Sequence, residues 1–419
     1  MQTLDLPEPG TDEIEQSQML VEVIKKNIRE AGGWIDFERY MQLALYAPGL
    51  GYYSGGAQKF GEQGDFMTSP EVSPLFAQSL ANPISVLINK IPEVNIIEFG
   101  AGSGKLAAEL LLSLQKKGSL PEKYLIIELS AELQQRQRDT LYQIAPDLLT
   151  HVEWLEKLPE SRVNAVVIAN EVLDAMPVKR FRLKDKNIES LGVAISPGHE
   201  INPDHEVNPG HEINPDHEVN QGVEINNQQL ELSYRKADEN LTEKIQQLAI
   251  KNDENVYNSE LNTNIKPWVK SLDQCLDVGA VYLIDYGYPR SEYYSEERHM
   301  GSFLGYYRHR SIDAPLWYPG LQDLTAFVDF TEVAEAAIEN NFDVDGFTSQ
   351  GNFLLNAGLA EIVENNSAES EIQRLQIVQQ MKTLSLPGEM GERFKVIGLS
   401  KGLKENMPGF ESRDFRYRL

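Results

Sequence analysis

The chain has 419 residues, 41% hydrophobic and 9% aromatic, enough to bury a core in each of two or three units. Its 38 Lys and Arg against 64 Asp and Glu give a formal charge of −26, which argues against nucleic acid as a partner and suits a cationic substrate, a basic protein or plain solubility. No apolar run approaches the ~18 residues of a membrane span, and the single cysteine, Cys275, excludes an internal disulfide and a Cys-rich metal site.

Residues 1–17 read as a disordered acidic leader carrying Asp5, Glu8, Asp12, Glu13 and Glu15. It has neither an Arg-rich amphipathic pattern nor an apolar run, so no organelle or export signal is read. With the lone cysteine this predicts a cytoplasmic protein. Leu20, Val23, Ile24 and Ile28 predict a helix over 19–31, stopped by Gly32-Gly33. Asp36 caps another through Met41, Leu43 and Leu45. An aromatic and glycine-rich stretch follows, from Tyr46 to Tyr53 and on to Gly64-Asp65-Phe66-Met67-Thr68-Ser69-Pro70-Glu71. It is either a connection across a sheet or a lid over a ligand. Residues 18–90 form the expected N-terminal helical and lid segment.

From Val94 strands and helices alternate, which predicts a largely parallel sheet with helices on both faces. The expected strands cover 94–99, 124–129, 151–154 and 165–170, with helices starting at Lys105, Ala131 and near Ser161. The first strand runs into Glu98-Phe99-Gly100-Ala101-Gly102-Ser103-Gly104-Lys105 and a helix. A strand, a tight glycine turn and a helix N-terminus form the usual seat for a nucleotide-like ligand. A P-loop fails, because Leu106 stands where a Ser or Thr must follow the lysine and Phe99 stands in place of the first glycine. A dinucleotide fingerprint fails as well, because the glycines run G-x-G-x-G and Lys105 replaces the third. Glu128 ends the second strand, where a carboxylate accepts hydrogen bonds from ribose hydroxyls. The fourth strand ends in Asn170-Glu171-Val172-Leu173-Asp174-Ala175-Met176-Pro177. Carboxyl ends of parallel strands carry ligands and chemistry, so Asn170, Glu171 and Asp174 are the candidate catalytic groups.

Residues 178–195 and 230–235 read as a hairpin-like excursion. Between them, up to Asn226, lies a six-residue repeat with His199, His205, His211 and His217, each followed by Glu. One apolar residue per unit builds no core, so 196–228 is expected as a disordered insertion into a core of 91–290, with no metal site. Helices are expected over 240–250 and 268–276, then a fifth strand ending at Asp285 and an aromatic-basic segment containing His309, read as structural rather than as a base. Residues 323–330 open a helix with Thr331 as cap. Strand six covers 342–347, late helices cover 353–362 and 372–381, and a final strand over 394–399 is the antiparallel edge partner of strand six. Residues 291–390 form the expected cap and substrate region, and 391–419 the last strand and tail.

The pattern E-x-G-x-G-x-G from Glu98 resembles the first motif of class I S-adenosylmethionine-dependent methyltransferases. Taken in order with Gly64–Glu71, Asn170–Pro177, Leu283-Ile284-Asp285-Tyr286-Gly287-Tyr288-Pro289 and Asp323–Phe330, it makes the chain resemble the MidA-type methyltransferases. That family includes a mitochondrial arginine methyltransferase that assists assembly of respiratory complex I. The resemblance implies an α/β class I fold: a Rossmann-like, mostly parallel sheet with an antiparallel last strand, an N-terminal helical segment and a helical cap. It implies S-adenosyl-L-methionine as cofactor, held by Thr68, Ser69, Pro70, Glu71, Glu98, Gly100, Ala101, Gly102, Gly104, Glu128 and Asn170. It also suggests a protein substrate, with arginine as the acceptor and a respiratory-complex subunit among the possible partners. Alternatives are a cofactor-binding assembly chaperone without catalysis and a small-molecule methyltransferase.

Overall fold

The computed structural model describes residues 6–55, 68–185, 187–197, 229–251, 256–366 and 370–419. The repeat from 198 onward and the 61–67 part of the glycine-rich stretch lie outside the described residues. The chain divides into two units, one from Met1–Ala57, Pro177–Leu261 and His299–Thr325, the other from Gln58–Met176, Asn262–Arg298 and Ala326–Leu419. The segment 177–261, expected inside one continuous core, therefore groups with the N-terminal residues.

The second unit carries the sheet that the alternation predicts. Its strands are β1 (Asn95–Phe99), β2 (Tyr124–Ile127), β3 (Val152–Leu155), β4 (Val163–Asn170), β5 (Leu276–Tyr288), β6 (Asp343–Ser349) and β7 (Phe394–Lys401). They lie in the order β3-β2-β1-β4-β5-β7-β6, and the two-residue strand Val328–Asp329 also pairs with β5. β7 alone runs antiparallel to its neighbours. It is not the edge strand expected from sequence, because it inserts between β5 and β6 and leaves β6 outermost.

Side chains alternate across a strand, and here both faces are covered. Ile96, Val166, Ile168, Tyr282, Ile284 and Val396 pack on one face with α1 (Pro74–Ile88) and α2 (Lys105–Lys116). Ile97, Val167, Ala169, Val281, Leu283 and Ile397 pack on the other with the helices Ile265–Cys275 and Phe330–Glu339. This is why β4 reads as an unbroken apolar run. Helix α3 (Ala131–Ile144) follows β2 and turns Leu133, Gln137 and Leu141 inward. No helix forms near Ser161. Only seven residues, Glu156–Arg162, separate β3 from β4, and Pro159 interrupts them. Asp329, not Thr331, caps the helix Phe330–Glu339, its carboxylate accepting from the amides of Thr331 and Glu332. The late helices fall at Gln350–Asn356, Leu359–Glu364 and Glu371–Ser385, with Phe353, Leu354, Leu359 and Leu384 buried in the core.

In the first unit, the strand Asn187–Ile195 pairs antiparallel with Ile35–Asp36, Lys179–Lys184 and Leu230–Lys236, and Lys179–Lys184 pairs with Val256–Leu261. The helix Thr11–Glu30 begins inside the stretch read as a disordered leader. Its buried Ser17, Leu20, Ile24 and Ile28 supply an inward stripe, so helix propagation extends through the acidic residues ahead of it. Asp36 caps Phe37–Tyr46 as expected, accepting from the Arg39 amide at 2.9 Å. His309 is exposed at φ +62° in the turn between the strands Leu304–Tyr307 and Arg310–Ile312.

Candidate active site

The strand order reverses between β1 and β4, and ligands of open α/β sheets sit outside the carboxyl ends of the strands at such a point. Four parallel strands end on that edge of the sheet: the glycine turn follows β1, Glu128 follows β2, the 170–174 loop follows β4, and Asp285 lies near the end of β5. Gly100, Gly102 and Gly104 have φ of +60°, +53° and +84°, left-handed values that explain their alternate spacing. Buried Ala101 closes the turn, its carbonyl accepting from the Gly104 amide at 2.7 Å.

Ser69, Pro70 and Glu71 form one turn of helix, and the Thr68 carbonyl accepts from the Glu71 amide at 2.9 Å. The Ser69 hydroxyl is buried and donates to Gln350 Oε1 at 2.9 Å, so it faces the core. Glu71 ties this segment to the glycine turn: its carboxylate accepts from the Ser103 hydroxyl and lies 3.8 Å from Lys105 Nζ, which also donates to its carbonyl at 3.0 Å.

Glu98 is buried and accepts from the Tyr124 hydroxyl at 2.7 Å. Burial pushes its pKa up from 4.5 to about 7, with the Tyr124 hydrogen bond pulling the other way. The folded chain thus holds this proton more tightly than the unfolded one. The stability it contributes is complete below about pH 4.5 and is lost as pH rises through about 7. Glu98→Gln is expected to flatten the stability profile in that window and to be more stable than the parent above pH 7. Thermal denaturation across the window checks it, and identical slopes would contradict it.

Glu128 is also buried, and one oxygen accepts from the Ser130 amide at 2.9 Å, the other from Gln137 Nε2 at 3.2 Å. Burial raises its pKa, while those two donors oppose the rise. Asn170 donates to Glu171 Oε1 at 3.0 Å, and its buried Oδ1 has no hydrogen-bond partner among the described residues. Glu171 stands at φ +55°, uncommon for a residue with a Cβ. Its amide donates to the Ile284 carbonyl at 2.9 Å, and the buried Asp285 holds the residues that follow: Oδ2 accepts from the amides of Val172, Leu173 and Asp174 at 3.2, 2.9 and 3.2 Å, and Oδ1 from Tyr286 at 2.8 Å. Burial, then the charges of Asp174 and Glu171, push the Asp285 pKa well up, against the pull of its amide donors.

Asn170, Glu171 and Asp174 are therefore brought together on one loop, beside the glycine turn. Sequence reasoning named Asp285 only as another strand-end carboxylate, and it passed over Gln137 and Trp154. The available signal for Gln137 was its position between Leu133 and Leu141, a polar residue in an apolar stripe at helical spacing. Among the described residues, no group of three His, Cys, Asp or Glu side chains could hold a metal, and no helix is long and apolar enough to cross a membrane.

The geometry fits an adenosine-bearing cofactor: a turn whose left-handed glycines leave no Cβ at its surface, a buried carboxylate held at both oxygens, and an orphaned buried amide oxygen. A family model described as S-adenosyl-L-methionine-dependent methyltransferase matches residues 76–348. The crystal structure of a superfamily member from Burkholderia thailandensis, bound to S-adenosyl-homocysteine, superposes with a TM-score of 0.88 at 39% identity, over 99% of this chain and 100% of that one. Among curated proteins, the mitochondrial protein arginine methyltransferase NDUFAF7 of Danio rerio is 27% identical over 87% of this chain and 83% of its own length. The Homo sapiens protein of that name is 26% identical over 88% and 80%.

Proposed function

The chain belongs to the S-adenosyl-L-methionine-dependent methyltransferase family, and from that premise we propose that its acceptor is an arginine side chain of a protein. One observation supports the reading: Asn170 ends β4 beside the switch point of the sheet, its amide donates to the Glu171 carboxylate, and Asp174 follows three residues on. The curated relatives named as protein arginine methyltransferases support the same acceptor. We extend the proposal to a respiratory-complex subunit as the protein that carries the arginine, following the MidA-type resemblance.

When bound, S-adenosylmethionine supplies an electrophilic methyl group on a sulfonium. The chain's own residues bind, orient and neutralise. The glycines at 100 and 102 let a ligand lie against backbone, Gly104 lets the turn pack on α3, and Glu128 accepts from ribose hydroxyls. Glu71, through Ser103 and Lys105, keeps the turn in place. A guanidinium is planar, permanently cationic and suited to paired contacts with carboxylates. Placing it beside a second cation in a partly dry crevice is unfavourable unless negative charge compensates. Glu171 and Asp174 provide that charge, Asn170 directs the reacting nitrogen, and one of the carboxylates takes the proton that the nitrogen releases.

Glu171→Gln keeps the shape and removes the charge. Calorimetric binding of S-adenosylhomocysteine is expected to stay within about twofold, while turnover falls tenfold or more, the scale of a lost electrostatic group. Turnover can be followed by mass spectrometry of arginine-methylated proteins in cells carrying either chain. Unchanged methylation would remove Glu171 from the mechanism, and a non-catalytic chaperone would tolerate loss of Glu171 and Asp174 alike.

A further inference from the structure

Gln137 is fully buried on α3 and makes three hydrogen bonds. Its Nε2 donates to the Gly102 carbonyl at 3.1 Å and to Glu128 Oε2 at 3.2 Å, while its Oε1 accepts from Trp154 Nε1 at 2.8 Å. The amide can point only one way, because two acceptors face one end and an indole N–H, which can only donate, faces the other. A single side chain thus connects the turn after β1, the carboxylate after β2 and an indole on β3. The contact is close in the backbone too: a Cβ on Gly104 would lie 2.9 Å from Gln137 Cα.

A packing role alone does not account for this residue. Leu133 and Leu141, one turn away on either side, fill the same inward stripe with hydrocarbon. A buried amide is unfavourable there unless every polar atom is paired. Both hydrogens of Nε2 go to groups just past the carboxyl ends of β1 and β2. A carboxylate with one amide donor can rotate about its Cγ–Cδ bond, whereas Glu128, held at Oε1 by Ser130 and at Oε2 by Gln137, cannot turn without breaking a hydrogen bond. Fixing such a group before the ligand arrives removes the ordering cost from binding.

We propose that Gln137 is a positioning residue of the cofactor site, aiming the Glu128 carboxylate at the ribose hydroxyls. The inference rests on the reading of Glu128 as the ribose acceptor. It makes Trp154 a reporter, since its indole bonds the same amide and the Arg138 guanidinium stacks on its ring at 3.8 Å.

The test compares S-adenosylhomocysteine with its analogue lacking both ribose hydroxyls, by calorimetry on the full chain. In Gln137→Met, which keeps length and flexibility without polar atoms, the Kd for S-adenosylhomocysteine is expected to rise ten- to thirtyfold, and that for the analogue less than threefold. The change in Trp154 emission on ligand addition, isolated by subtracting a Trp154→Phe chain, should disappear. Equal losses for both ligands, or binding within twofold of the parent, would overturn the proposal. If Gln137→Met does not accumulate folded, Gln137→Glu carries the same comparison: it retains the acceptor for Trp154 but sets a carboxylate against Glu128, and the same selective loss is required of it. Glu128→Ala separates the two readings. If it binds S-adenosylhomocysteine as the parent does, the ribose reading fails. If Glu128→Ala loses affinity and Gln137→Met does not, only the present inference fails.

Discussion

Gly104→Val is expected to weaken S-adenosylhomocysteine binding a hundredfold or more. Position 104 sits at φ +84°, where a residue bearing a Cβ is strained by about 1–3 kcal/mol. A Cβ there would also lie 2.9 Å from Gln137 Cα, 3.1 Å from its Cβ and 3.2 Å from its carbonyl oxygen. The first and last of these are backbone atoms of α3, which no rotamer change can move. The turn must then lift away from α3, and it takes the Gly102 carbonyl off the Gln137 amide and opens the N-terminus of α2. A hundredfold loss is about 2.8 kcal/mol, within what strain and the broken hydrogen bond supply together. Calorimetry on chains of matched circular dichroism measures it. A Kd within threefold of the parent would mean that the cofactor does not lie against this turn.

Asp285→Asn should have the largest effect on turnover. The parent carboxylate accepts four backbone amides, and three of them, Val172, Leu173 and Asp174, converge on one oxygen. An asparagine oxygen can replace only one side. If it faces those three amides, its NH₂ meets the Tyr286 N–H, donor against donor. The loop that bears Asn170, Glu171 and Asp174 then relaxes from the conformation that sets Glu171 at φ +55°. The expected outcome is a hundredfold or greater fall in kcat, with cofactor affinity changed less than fivefold. Asp285→Leu leaves four backbone donors without their acceptor, two of them fully buried at about 1–3 kcal/mol each, and is expected not to fold. Single-turnover rates at saturating cofactor give the first result. Wild-type turnover in Asp285→Asn would show that the loop holds its geometry without the clamp.

These two positions differ in how visible they are before folding. The glycines at 100, 102 and 104 announce themselves, because a left-handed backbone demands a residue type and the demand is local. The same holds for Asp36, whose side chain caps the helix that directly follows it. Glu128 and the 170–174 group were placed by a rule that needs only strand direction. The helix that was expected near Ser161 fails on length, since seven residues with a proline cannot propagate one. Thr331 was a plausible cap by residue type, but Asp329 sits where its oxygen reaches the free amides.

Local chemistry written along the chain was enough to predict a largely parallel sheet covered by helices and its glycine turn, and the resemblance carried by five motifs added the class I methyltransferase fold. Folding decided the rest by bringing distant segments together. β5 and β7 pair across more than a hundred residues through backbone groups that every residue carries, so neither apolar run names its partner. The insertion of β7 between β5 and β6, and the grouping of 177–261 with the N-terminal helices, are therefore silent in the sequence. The roles of Gln137 and Asp285 are hidden for a related reason, although the chain marks one as a polar residue in an apolar stripe and the other as a strand-end carboxylate. A glutamine or an aspartate in the chain looks like surface until burial is known, and only burial turns its hydrogen bonds into a constraint on the site.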